Sequence, residues 1–371
     1  MHTSITDGRL RDKLVDVERK LVDRAADLAL FLAFDRPQRV VERPGLERAY
    51  FAQRCLSDAQ IEQMITAFRS IGAYVELIEG DLHLMEALAS GHLQSIDREL
   101  KVIYGGIEGG IAPGGFEPGR KALVPAVADA YGVTCTNSNA YACALGRHKF
   151  HYFTILRSLG VRAPRVWHYH PAEGWVQGMS PEQGTKVIVK STYESWAVGV
   201  TDDSVFVADK HCGERVASIA ETIGQPVTVQ EFVAGAEVCV PILGLPELVV
   251  TPPVEIILAK APGDANSFMT VTDNLTQGEI GYRRFDRGAE LDEQLAGAAR
   301  ATFEILELKA FGRIDFRIDE RDRAWVIDVG VSPGTARQSS ATFSLAQLGF
   351  DHAAFLRVVV AATLASREAL T

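Results

Sequence analysis

Two carboxylates set in apolar alternation stand out in "GRIDFRIDERDRAWVIDVGVSPG", residues 312–334. Arg313, Asp315, Arg317 and Asp319 alternate with Ile314, Phe316 and Ile318, and Ala324, Val326, Asp328 and Gly330 alternate with Trp325, Ile327 and Val329. Period two with one apolar face predicts two half-buried strands joined by a polar turn around Glu320–Arg323. A tight turn with Arg321 and Asp322 at its tip pairs Glu320 with Arg323 and sets Asp315 opposite Asp328. Directly opposed side chains have Cβ atoms about 4.5–5.5 Å apart, where like charges repel. A positive group therefore belongs between them. It is the guanidinium of Arg313 or Arg317, as in a salt-bridged surface hairpin, or a divalent cation held by carboxylate oxygens.

Two further stretches have residue types suited to phosphate. The loop "YGGIEGGIAPGGFEPG" (104–119) holds seven glycines after an expected strand, and such runs let backbone approach a ligand closely. It matches neither the P-loop spacing nor G-x-G-x-x-G. "KVIVKSTYESWAVGV" (186–200) is a strand that delivers Lys190 into a polar loop returning at Gly199. Lys149 lies earlier, in the helical segment "GRHKFHYFTILRSLG".

The surrounding pattern supplies the elements that must position these groups. Residues 8–27 form an amphipathic, charge-rich helix, an N-terminal extension over 1–27. "LALFLAF" (28–34) has the length of a buried strand. After a polar loop with Pro37 and Pro44, Ser57 caps a helix that stops at Gly72. Strands at "AYVELIEGD" and "KVIYGG", with a helix over 83–98 between them, continue a βαβ rhythm to about residue 145. That rhythm implies a parallel sheet covered by helices. Strands follow at "RAPRVWHY", "TKVIVKST" and "SVFVAD", then a helix at 211–224. "VTVQEFV", "AEVCVPILG" and "ELVVTPPVEIIL" come next, then a polar loop over 261–281. A helix carrying Leu291, Leu295, Phe303 and Leu306 precedes the hairpin, and a last helix runs from Asp351 to about Ala365.

Bulk properties exclude several classes. The 371 residues, 47% of them hydrophobic, suffice for two or three domains. A net charge of −10 with mixed signs gives no basic face for nucleic acid. Five scattered cysteines (Cys55, Cys135, Cys143, Cys212, Cys239) include no C-x-x-C pair, so neither zinc nor a disulfide framework is indicated. The first residues lack an apolar signal core, and no run approaches the roughly 18 apolar residues of a membrane span. A soluble, cytoplasmic protein is expected, without nucleic-acid or membrane partners and compatible with a homodimer.

In order and wording these pieces resemble the ATP-grasp superfamily and, within it, the D-alanine–D-alanine ligases, over nearly everything from residue 28 to 365. The likeness is strongest in "GRIDFRID…WVIDVGVSPGTARQSS…LAQLGF", where those ligases have a G-R-x-D strand, an E-x-N strand, a P-G loop, a serine and a helix ending in glycine. "HKFHYFTILRSLGVRAP" is similar to their D-K-x-x-x-K…G-[IV]-x-x-P segment, and "PPVEI" to their P-x-x-E-I.

The resemblance implies an α/β ATP-grasp fold. An N-terminal parallel α/β domain (28–145) would be followed by central (146–224) and C-terminal (225–371) α+β parts that clamp the nucleotide. It implies an ATP-dependent, ADP-forming ligase that joins small amino-acid-like substrates through an acyl phosphate. ATP and Mg2+ would be required, with Mn2+ as a substitute. Lys149 and Lys190 would contact the phosphates, and the loop Glu194–Gly199 would close over them. Gln230, Glu231 and Val233 would form the hinge gripping adenine, and Glu237 would meet the ribose. Asp315 and Asp328 would hold the metal. Arg313 would face the reacting carboxylate, with Gly334 and Ser339 bordering the substrate.

Departures from the family pattern fall on the substrate and metal side. The second acid is an aspartate, and the asparagine expected two residues later is Gly330. The loop that carries a catalytic lysine falls near "SFMTVTDNL" and has none, leaving Lys260, Arg283 or Arg284 as substitutes. The early acidic residue that grips the first amine has only Glu47 as a candidate. Substrates other than two D-alanines are therefore expected. The alternative is a degenerate ATP-grasp protein that binds nucleotide as a regulatory partner.

Overall fold

The computed structural model describes residues 5–36, 55–106, 118–276 and 278–367. Most of the glycine-rich loop (107–117) and Glu47 lie outside the described residues. Three sheets are present, and each uses its side-chain alternation differently.

The first sheet is parallel. It contains β1 (Leu28–Phe34), β2 (Tyr74–Glu79), β3 (Leu100–Gly106) and β4 (Thr134–Cys135) in the order β2-β1-β3-β4. Every residue of β1 is buried, because helices cover both faces. Leu28, Leu30, Leu32 and Phe34 join one apolar cluster, while Ala29, Phe31 and Ala33 join another. The helix Asp58–Arg69 covers the first face, started by a capping box between Ser57 and Gln60. The helical stretch expected at 83–98 is two pieces, Gly80–Ala89 and His92–Ser95, broken at Gly91 with φ of 75°. The helix Ile5–Asp23 buries Leu14 and Leu21 in the same cluster as Phe355, Leu356 and Val359 of the last helix, His352–Ala365. The two ends of the described chain are therefore packed together.

The second sheet is antiparallel: β5 (Val166–His170), β6 (Gly174–Trp175), β7 (Lys186–Ser191), β8 (Val205–Val207) and β9 (Val227–Glu231), in the order β6-β5-β9-β7-β8. Val187, Val189, Val227 and Val229 meet Val216, Ala220 and Ile223 of the helix Cys212–Ile223.

The third sheet is also antiparallel. It holds β10 (Ala236–Leu243), β11 (Val249–Val250), β12 (Val254–Leu258), β13 (Ile280–Arg284), β14 (Phe311–Ile318) and β15 (Ala324–Gly330), in the order β13-β12-β10-β14-β15 with β11 beside β10. Its core is shared with Tyr152, Phe153 and Leu156 of the helix Lys149–Ser158 and with Leu291, Leu295 and Phe303 of the helix Ala289–Ile305. The polar loop expected over 261–281 is not all loop. A Thr270–Asp273 capping box starts a short helix at Val271–Leu275, and Ile280 and Tyr282 begin β13. Strand pairing with β12 overrides the weak local pattern there.

The hairpin corrects the expected turn while keeping its consequence. Asp319, not Glu320, faces Arg323, so the loop has three residues, and Asp322 takes φ of 52°. Pairing runs Ile318 to Ala324, Arg317 to Trp325 and Phe316 to Val326, then shifts before Asp315 to Asp328. Ile327 is the extra residue of a bulge. The longer turn moves the register by one and the bulge moves it back, so Asp315 does stand opposite Asp328. No helix among the described residues is long and apolar enough to cross a membrane.

Candidate active site

A cleft of about 800 Å3 opens between the second and third sheets and reaches the carboxyl ends of β1 and β3. Lys149, Lys190, Glu194, Gln230, Glu231, Val233, Glu237, Arg313, Asp315, Asp328, Gly334 and Ser339 all line it.

The aspartate pair is balanced asymmetrically. Arg313 grips Asp315 with a two-bond fork, Nε to Oδ1 and Nη2 to Oδ2, each 2.7 Å. Arg317 points elsewhere. It ties Glu237 (2.9 Å) to the carbonyls of Gly235 (2.8 Å) and Ser267 (2.7 Å). Asp328 accepts from the Tyr152 hydroxyl at 2.7 Å and from the Val329 amide at 3.0 Å, both at Oδ1. Burial opposes its ionisation. The charges of Lys149 and Lys190 and the Tyr152 bond outweigh that and hold the carboxyl below its ordinary range.

Both lysines are shaped by burial. The Lys149 amine is pushed down to about 8, with Asp328 resisting the shift. Lys190 is lowered by burial in the same way, opposed by Asp328 and Glu237. Lys149 donates to the Glu194 carbonyl, and Lys190 donates to the Ile327 carbonyl at 3.2 Å, at the bulge.

The loop after β7 is held from below. The Glu194 carboxylate is buried against Arg120 at 2.6 Å, so its carbonyl rather than its side chain meets Lys149. Ser191 Oγ reaches the Val198 carbonyl at 2.9 Å. Trp196 and Ala197 adopt φ of 63° and 54°, strained for non-glycine residues. The turn brings the Trp196 ring against the P-G loop, where a β-carbon at Gly334 would lie 3.3 Å from it.

At the other end, Ile188, Val200, Ile256, Phe268, Met269 and Ile327 give the cleft apolar walls. Phe232 stacks edge-on to Phe268, with the Lys186 ammonium 4.5 Å from its ring. Gln230 is buried, and among the described residues its Nε2 has no hydrogen-bond partner. A buried amide donor without a partner is costly unless a ligand completes it, which fits a heterocycle seated between apolar walls. Glu231 is drawn aside by Arg165 at 3.0 Å.

Of the substitutes considered for the loop lysine, Lys260 stops at the cleft wall, on the lining residue Asp273, and the two arginines are tied to acids elsewhere. Lys260 pairs with Asp273 at 2.7 Å, Arg283 with Glu255 at 2.7 Å, and Arg284 with Asp7 at 3.0 Å, and none of the three is among the lining residues. Tyr152, Arg120, Tyr282 and Trp196 were not singled out from the sequence. Only Tyr152 carried a readable signal, three residues after Lys149 on one helix face.

The acid pair fits magnesium in one specific way. Among the described residues, no three His, Cys, Asp or Glu side chains form a metal cage. Two carboxylates in a cleft that also holds two buried lysines match an ion that keeps waters and takes its remaining ligands from a bound anion. Arg313 uses one acceptor direction on each Asp315 oxygen, and a carboxylate has about four in all.

Comparisons with known proteins bear on the family and the fold. The family model for the D-ala D-ala ligase C-terminus matches residues 164–361. D-alanine–D-alanine ligase B of Xanthomonas campestris is 25% identical over 304 residues, covering 81% of this chain and 88% of the relative. The D-alanine–D-alanine ligase of Pseudomonas putida is 23% identical over 321 residues, covering 85% and 91%. The solved D-alanine–D-alanine ligase of Bacillus anthracis superposes with a TM-score of 0.67 at 16% identity, covering 92% of this chain and 99% of that one. The VanG D-Ala:D-Ser ligase of Enterococcus faecalis does so with a TM-score of 0.60 at 13% identity, covering 91% and 99%. The fold is that of ATP-grasp ligases.

Proposed function

Because the chain belongs to the D-ala D-ala ligase C-terminus family, we propose that it is an ATP-dependent, ADP-forming carboxylate–amine ligase whose substrates are small amino-acid-like molecules other than two D-alanines. The observation that carries this reading is the single cleft in which Lys149, Lys190, Arg313, Asp315 and Asp328 converge from a helix and two sheets. Residues 28–145, 146–224 and 225–371 are proposed as its three domains.

Adenine lies between Ile188, Ile256 and Met269, with the Gln230 amide as a donor. Lys149 and Lys190 bind phosphate oxygens, and the Glu194–Gly199 loop keeps water out. A magnesium ion held by Asp315 and Asp328 supplies charge neutralisation for the phosphates. Arg313 orients the acid substrate so that a carboxylate oxygen attacks the γ-phosphorus and the bond to ADP breaks. Positioning and electrostatics carry nearly all of such catalysis. An amine then attacks the acyl carbon of the mixed anhydride, phosphate departs, and the nitrogen loses its proton. Ser339 and Gly334 border that second substrate.

One observation favours a nucleotide-binding protein without turnover. Both oxygens of Asp315 are engaged by Arg313, and Gly330 offers no third ligand. Phosphate release from ATP and magnesium, screened over a panel of amino and hydroxy acids, separates the two. Amine-dependent release with ligated product by mass spectrometry supports the ligase. Nucleotide binding with no release across the panel supports the binder. Absence of nucleotide binding overturns both.

A further inference from the structure

We propose that Tyr152 is the positioning residue for Asp328: its hydroxyl anchors one carboxylate oxygen so that the other faces the nucleotide phosphates and their accompanying cation. The identity of that ligand rests on the ligase reading above. The role of the tyrosine rests on its own geometry.

Tyr152 is fully buried, and its hydroxyl donates at 2.7 Å to Asp328 Oδ1. The Val329 amide donates to that same oxygen at 3.0 Å. An oxygen of a carboxylate has about two acceptor directions, so Oδ1 is filled. Among the described residues no hydrogen bond reaches Oδ2. One oxygen is fastened and its twin is left for a ligand. Asp315 is treated differently, with Arg313 on both oxygens.

The type of donor matters. Arginine or lysine in direct contact would neutralise Asp328. A phenol fixes the carboxylate and leaves its charge in place.

Such an anchor is needed here. Aspartate is short, the bulge at Ile327 turns the backbone immediately before it, and Gly330 has no side chain to share the task. Strand pairing alone does not set the Asp328 rotamer. Tyr152 does so from the helix Lys149–Ser158, one turn beyond Lys149. The phosphate lysine and the acid's anchor therefore sit on one rigid element. Their separation from Asp328 in the chain, 176 residues for Tyr152, is closed only by packing.

Tyr152→Phe removes one oxygen atom and keeps the ring. The probe is ADP, titrated calorimetrically with excess magnesium and again in EDTA. Affinity for ADP with magnesium should fall about 10–100-fold, the usual range for losing a group that orients a metal ligand, with a change of less than about twofold in EDTA. Equal losses in both conditions, or none in either, would overturn the proposal. A double-mutant cycle guards against a general folding effect. Asp328→Asn should show the same magnesium-specific loss, and adding Tyr152→Phe to it should cost nothing more. Additive losses reject the role. A wild-type protein that binds no ADP rejects the ligase reading itself, whereas wild-type binding that Tyr152→Phe leaves untouched rejects only this role.

Discussion

Asp315 and Asp328 face each other across adjacent strands, although the hairpin that joins them has a three-residue loop and a bulge at Ile327. Two like charges held together in the folded state need fixed partners, and each has its own. Asp315 has the Arg313 fork; Asp328 has Tyr152 and the field of two lysines. Replacing Asp315 thus disturbs a built ion pair. Asp315→Asn should abolish phosphoryl transfer and lower the stability of the ligand-free protein by about 1.5–3 kcal/mol, the worth of a charge-assisted bond. Urea melts and phosphate release check both halves, and unchanged turnover refutes the metal assignment.

ATP binding should weaken in alkali. The Lys149 amine loses its proton at about 8 in the free protein, and only the ammonium attracts phosphate. As pH rises through that value, kcat/KM for ATP should fall, by about tenfold per unit once well above it. Lys149→Met should be weak throughout and should lack this limb. A wild-type profile flat from pH 7 to about 9.5 would contradict the role of Lys149.

Mild acid should destabilise the packing of the helix Lys149–Ser158 on β5 through stacked histidines. The rings of His148 and His151 lie parallel at 3.5 Å, with Tyr193 edge-on to His148; His168 sits 5.2 Å from His148 and stacks on Phe150. Burial, with the other histidines, holds His148 down at about 3 and His168 at about 4, against an ordinary 6.5. Between roughly pH 4 and 6.5 the unfolded chain binds protons that the folded one refuses, so stability falls as pH falls through that window. His168→Gln should shrink the drop in melting temperature between pH 7 and 5. An unchanged drop shows that other groups cause it.

Saturating nucleotide should stabilise the whole clamp. With ATP and magnesium at a hundredfold above Kd, the gain is about 2.7 kcal/mol. A thermal-shift series with no rise would count against nucleotide binding in any form.

D-alanine alone should be a poor substrate. Lys260 is neutralised by Asp273 at the wall of the cleft, and Arg283 and Arg284 are tied to acids that do not line it. Each missing charge-assisted contact costs about 1.5–3 kcal/mol, so two together remove several powers of ten in rate. Little ATP hydrolysis and no dipeptide are expected by mass spectrometry. Turnover near about 10 s−1, the median for enzymes, would reverse this.

What the sequence determined by itself is what depends on near neighbours. Period-two alternation placed β14 and β15, and Ser57 with Gln60 marked a helix start, because side-chain direction and capping act within a few residues. The ordered motifs also picked out Lys149, Lys190, Asp315 and Asp328, which the fold brings to one cleft. The facing of Asp315 and Asp328 followed from a two-residue turn that does not form; the bulge restores it, and neither feature is written in the alternation. Other relationships belonged to the tertiary structure alone. Arg120 under Glu194, Tyr152 on Asp328, and the first helix against the last join groups from 74 to more than 300 residues apart. Such contacts depend on which apolar faces share a core and which buried polar groups find a partner there. Local pattern constrains only the faces, and packing chooses the partners.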